Sequence, residues 1–319
     1  LDHSDLNALS ETCRIYCAVV KLFRTSAMKV DKVLKQFFST HAEIGYFQHL
    51  QGATGMIISG SVALAFFNRE EYRNSDLDTY CLLKRCLEVG LWYQSIHYAF
   101  KPVGKQNHHF HEDVQRVIES EGAEIYVSRN IAEVWNFVRG DSMRIQLVAT
   151  KIIPEAVILQ FHSTCVMNII TQRAAYSLFP NTTFNDNATL VVNSRGGLLR
   201  KYDAPLMKYN HRGFQVEVKP SLDRTIGCRQ ELSFATPRWI GDGRTWIHEV
   251  EYFGPGPREV DNAHRISWDM VYKPRQILLE YFELSNRVEV GGEEVQAVLA
   301  LREFAIVQNL GSGARYAPN

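Results

Sequence analysis

Met56-Ile57-Ile58-Ser59-Gly60-Ser61-Val62-Ala63-Leu64-Ala65-Phe66-Phe67, followed after a polar connection by Asp76-Leu77-Asp78-Thr79-Tyr80-Cys81-Leu82-Leu83, decides the fold. Met56 to Ile58 has the composition of a short buried strand, and Val62 to Phe67 begins a helix. Between them Gly60 allows close backbone approach, and the free N–H groups of the first helical turn can receive a phosphate. Ser61 adds a hydroxyl at the same place. Asp76 and Asp78 flank Leu77 on the next strand, over 77–83, so both carboxylates point to one face while Leu77 enters the core. Two adjacent carboxylates repel and raise a pKa unless a cation lies between them. Magnesium, with its preference for carboxylate and phosphate oxygens, is the natural cation, and manganese is the alternative.

Working outward, residues 5–40 carry apolar residues at helical spacing: Leu6, Leu9, Cys13, Tyr16, Cys17, Val20 and Phe23, then Val30 to Phe38. His49 to Thr54 reads as a loop and Arg85 to Phe100 as a helix. Gly140-Asp141 marks a hairpin between strands over 131–139 and 143–148. Beyond Pro154 the run Val157 to His162 reads as a strand, and Ser163 to Leu178 as a long helix ended by Pro180. After residue 180 short strands alternate with Asn, Gly and Thr clusters. Two helices, Pro274 to Ser285 and Glu293 to Gln308, are expected near the end. The expected organisation is an α/β (α+β mixed) core with N-terminal helices over residues 1–178, and a mixed β/helical region over 179–319.

The Gly60-Ser61 and Asp76-Leu77-Asp78-Thr79 elements, in this order and after a buried strand, resemble the signature of the polymerase-β-like nucleotidyltransferase superfamily. The stretch of about residues 50 to 178 is similar to a large group of fungal members. Arg144 to Val148, and Pro154 with Ile158 to His162, look like the later strands of that fold. The resemblance implies transfer of a nucleotidyl group from an NTP to a hydroxyl, with metal held by three carboxylates. It makes Asp76 and Asp78 the metal ligands and gives the β/γ-phosphates to Gly60 and Ser61. The third carboxylate is expected on the strand over Val157–His162, where His162 stands instead. A neutral imidazole can ligate a metal or act as a base but brings no negative charge. Glu155 and Asp141 are the alternatives for that place. Either the chain is a magnesium-dependent nucleotidyltransferase, or it is a degenerate relative that binds nucleotide or a partner without turnover.

Composition narrows the partners. Lys+Arg and Asp+Glu are equal at 35 each, whereas a protein that tracks long nucleic acid usually carries a basic excess. A nucleotide with a small-molecule or protein acceptor fits better. Arg195, Arg200, Lys201, Lys208 and Arg212 form a local basic cluster that either meets a triphosphate or faces solvent. No apolar run is long enough for a membrane span, and Leu1 to Asp5 lacks a signal-peptide pattern. The six cysteines match no zinc or disulfide framework; Cys13, Cys81 and Cys165 read as core residues, and the usage suits the cytoplasm.

Overall fold

The computed structural model describes residues 3–72, 75–121, 130–192, 206–220, 231–261, 263–273 and 276–283. It is a mixed α/β protein. Helices α1 (His3–Thr12), α2 (Arg14–Ala27) and α3 (Val30–Leu34) occupy the expected N-terminal helical region. Cys13 falls at the break between α1 and α2, which leaves it exposed rather than in the core. Helix α4 (His41–Thr54) replaces the loop expected over 49–54. Its ends explain the difference. Thr40 Oγ1 accepts from Glu43 N while Ser39 N donates to Glu43 Oε2, and Gly55 closes the helix at φ 69°.

Strand β1 (Ile57–Ser59) leads into α5 (Gly60–Asn68), and β2 (Leu77–Leu82) into α6 (Leu83–Ser95). After β3 (Ala99–Lys101) and α7 (Phe110–Glu121) comes the expected hairpin of β4 (Ile131–Arg139) and β5 (Met143–Thr150), with Gly140 at φ 62°. β5 lies parallel to β2, with Leu77 beside Ile145 and Asp78 beside Gln146, whereas β1 is antiparallel to β2. A parallel pair needs a crossover, and the chain from α6 to β4 supplies it.

Two expectations after Pro154 fail. The run read as a strand is α8 (Pro154–Ile158) followed by a turn, and the long helix is two strands, β6 (Asn168–Ile170) and β7 (Ala174–Ser177), after a 3₁₀ turn over 164–166. Pro154 sits at the first helical turn, where its missing N–H is not needed. All five residues of α8 are buried. A continuously buried segment of that length has no period to separate helix from strand.

The large sheet runs β11-β7-β6-β1-β2-β5-β4-β3, where β11 is Trp246–Glu249. It therefore crosses the 178/179 division, because β11 pairs with β7. Two further strands, β8 (Ala188–Leu190) and β9 (Gln215–Glu217), pair in parallel. One face of the large sheet buries Leu77, Cys81, Ile145 and Leu147 with Phe67, Val89 and Tyr93 of the helices. The other buries Ile57, Tyr80 and Val148 with α8 and with a three-stranded sheet of β10 (Arg238–Trp239), β12 (Ile266–Lys273) and β13 (Gln276–Glu283). β13 takes the place of the first of the two expected C-terminal helices. Its alternating Ile277 and Leu279 are buried against that second core, which is strand periodicity. The helix expected over 293–308 lies outside the described residues. Among the described residues no helix is long and apolar enough to cross a membrane.

Candidate functional site

The sheet topology brings the two halves of the opening stretch together. Ser59 is in register with Asp78, so the turn into α5 lies directly beside the first carboxylate-bearing strand. Gly60 takes φ 71°, and a Cβ built on it would collide with Asp78 Oδ2. Glycine is required here twice over, by the backbone and by the neighbouring carboxylate. Gly60→Ala is expected to destabilise the fold by about 1–3 kcal/mol and to push Asp78 aside. A urea melt together with a metal titration checks this; a variant with unchanged stability and metal affinity would contradict the tight packing.

Asp78 sits near the polar end of one sheet face. That face runs from Ile57, Tyr80 and Val148 at its apolar end to Asp78, with Gln146 beside it on β5 and Asn136 beside Gln146 on β4. Gln146 Nε2 donates to Asn136 Oδ1 at 3.2 Å. Burial, and next the charge of Asp76, push the Asp78 carboxyl from its ordinary 3.8 up to about 7, with Lys208 pulling the other way. A group so placed gives up its proton readily when a cation arrives.

Cations come from a distant part of the chain. Residues 206–211 form a helical turn that carries Lys208, and Arg212 follows it. Lys208 Nζ donates to Ser61 Oγ at 3.1 Å, and Arg212 Nη1 donates to the same oxygen at 3.2 Å. The Arg212 guanidinium lies 3.8 Å over the Tyr72 ring, a cation–π seat that fixes its position. Burial and then Arg212 hold the Lys208 ammonium below its ordinary pKa, against the pull of Asp78 and Asp76. Two cations on one hydroxyl, at the N-terminal turn of α5 and beside two carboxylates, have the charges and donors that binding a polyphosphate with a divalent cation would call for.

No family model matches the chain, and neither a curated protein nor a solved structure gives a significant match.

Gly60, Ser61 and Asp78 are brought together as expected, with Asp76 immediately before β2 and close enough to bear on both Asp78 and Lys208. His162 is not on a strand; it lies in the turn after α8, where its carbonyl accepts from Val192 N and its ring lies 6.1 Å from that of Tyr209. Burial lowers its pKa, so it stays neutral near pH 7. Among the described residues no group of three His, Cys, Asp or Glu side chains is gathered for a metal. On the side of Asp78 away from β1 lies β5, and the residue beside Asp78 on it is Gln146. Of the alternatives, Glu155 lies in α8 and Asp141 is exposed at the hairpin turn. Gln146 and Tyr72 escaped the sequence reading. A polar residue in the middle of the apolar strand 143–148 was the signal available for the first. Of the basic cluster, Lys208 and Arg212 reach the site, while Arg195, Arg200 and Lys201 lie outside the described residues.

Proposed function

We propose that this chain binds a magnesium–NTP complex in a nucleotidyltransferase-type cleft and is a weakened, degenerate member of that class in nucleotidyl transfer. The observation that carries the reading is the convergence of Lys208 and Arg212 on Ser61 Oγ beside the Asp76–Asp78 pair. Asp76 and Asp78 would hold the metal, magnesium or manganese. Two hard carboxylates fit such an ion when phosphate oxygens complete its shell. When bound, the ion neutralises charge on the triphosphate. The protein's own groups do the rest: Lys208 and Arg212 neutralise and orient phosphate oxygens, Tyr72 holds the Arg212 guanidinium in place, and the N–H groups at the start of α5 receive a further oxygen.

Gln146 beside Asp78 favours binding over turnover. Its amide can offer a carbonyl oxygen to a cation but no charge, so the cleft has two carboxylates where strong activation of an attacking hydroxyl calls for more. Gln146→Asp is accordingly expected to raise release of pyrophosphate from NTP at least about tenfold, roughly 1.4 kcal/mol of barrier. An unchanged rate, with Mg-NTP binding intact, would remove Gln146 from this role. The working-transferase reading requires that the wild-type chain itself release pyrophosphate at a rate typical of enzymes. A coupled pyrophosphate assay over the four NTPs separates the two.

A further inference from the structure

We infer that the chain has a second ligand site, separate from the carboxylate cleft, that takes a small zwitterion of amino-acid size. A cavity of about 280 Å³ lies between the end of α4, the start of β1, the end of β2, the start of α8 and the β6–β7 turn. It occupies the end of β1 and β2 opposite to Gly60 and Asp78. Asp78 lies four steps along the strand from Leu82 on its wall, or about 13 Å.

The walls carry both signs of charge. Glu155 and Asp261 supply carboxylates, and Arg173 and Arg265 supply guanidinium groups. Arg173 is held by Arg258 O and Glu259 O, while Asp261 Oδ2 accepts from Thr171 Oγ1 at 2.6 Å and Tyr176 Oη at 2.7 Å. The fourteen-residue α4 ends on the wall, and the negative end of its dipole favours a cationic group there. A simple anion or a simple cation would meet groups of its own sign. A ligand carrying an ammonium and a carboxylate answers both.

Gln172 forms one wall of the cavity, with 3% of its surface exposed. Its Oε1 accepts from Glu259 N at 3.3 Å, and its amide packs against Gly52 of α4, where a Cβ would collide with it, so Gln172 sets the shape of that wall. The volume is at the small end of ligand pockets, which suits an amino acid.

The test uses the full chain and each of the twenty L-amino acids as probe, at about 10 mM in thermal melts and then by calorimetry. At least one is expected to raise the melting temperature, with affinity at least tenfold weaker in Gln172→Leu and in Arg173→Gln. Arg173 is only partly buried, so its variant carries the test where Gln172→Leu fails to fold. Asp78→Asn is expected to bind the amino acid as wild type does. No binding by any amino acid, or affinity unchanged in the variants, overturns the site. Affinity lost in Asp78→Asn overturns its separateness from the cleft.

Discussion

The Asp76→Asn, Asp78→Asn double variant is expected to lose metal-dependent NTP binding, by at least about 100-fold or roughly 3 kcal/mol. In the proposed site the two carboxylates are the metal-binding charges, and the amides that replace them keep shape and hydrogen bonding but not charge. The same change has a second effect of opposite sense on the empty protein. In the fold the Asp78 carboxyl is pushed from 3.8 up to about 7, first by burial and next by Asp76. A folded-state value above the unfolded one means that the fold favours the protonated form. That contribution is complete below the unfolded value and is lost as pH rises through about 7. Without metal, wild type should therefore lose stability toward about pH 8, by at most a few kcal/mol, and Asp78→Asn should not. Denaturant melts at about pH 6 and pH 8 read this directly. Metal binding favours the ionised form, so Mg-NTP affinity should rise over the same interval, with proton release at the acidic end and little at the alkaline end. A double variant with wild-type Mg-NTP affinity, or an affinity that falls with rising pH, would remove the pair from the site.

The second large effect is expected from Lys208→Met with Arg212→Gln. Charge-assisted hydrogen bonds to phosphate contribute about 1.5–3 kcal/mol each, so the pair is expected to weaken NTP binding at least about 100-fold. The loss should grow along the series from nucleoside monophosphate to triphosphate, because it acts on phosphates and not on the base. Tyr72→Leu is expected to reproduce part of it by releasing the guanidinium that lies over that ring. The empty protein should not suffer, since two cations on Ser61 Oγ repel each other. Equal losses for a nucleoside and its triphosphate would place these residues outside the phosphate site.

What could be read in the sequence was local. A strand, a Gly-Ser turn, a helix and an Asp-bearing strand are neighbours along the chain, and the register sets Ser59 beside Asp78, with Asp76 just before β2. The hairpin at Gly140 was legible for the same reason, a glycine at a turn between two alternating strands. The third position beside Asp78 was not. It depends on which later strand abuts β2, and the buried run after Pro154 carries no period to tell helix from strand. Sequence alone therefore points to His162 for that place, where packing puts Gln146 of β5. Lys208 and Arg212 were visible as basic residues, but they reach Ser61 across 147 and 151 residues of chain. Only packing brings them there. The cavity around Gln172 is of the same kind, assembled from five separated segments, none of which has a motif of its own.

The central claim is a metal-dependent triphosphate site with weak transfer. It is tested most directly by calorimetric titration of each NTP with and without magnesium, paired with a pyrophosphate assay on the same samples. The expected result is saturable binding that requires magnesium, with pyrophosphate release far below the roughly 1 s⁻¹ at the low end of ordinary enzyme turnover. Binding of no NTP in the presence of magnesium, or equal binding in its absence, would contradict the account.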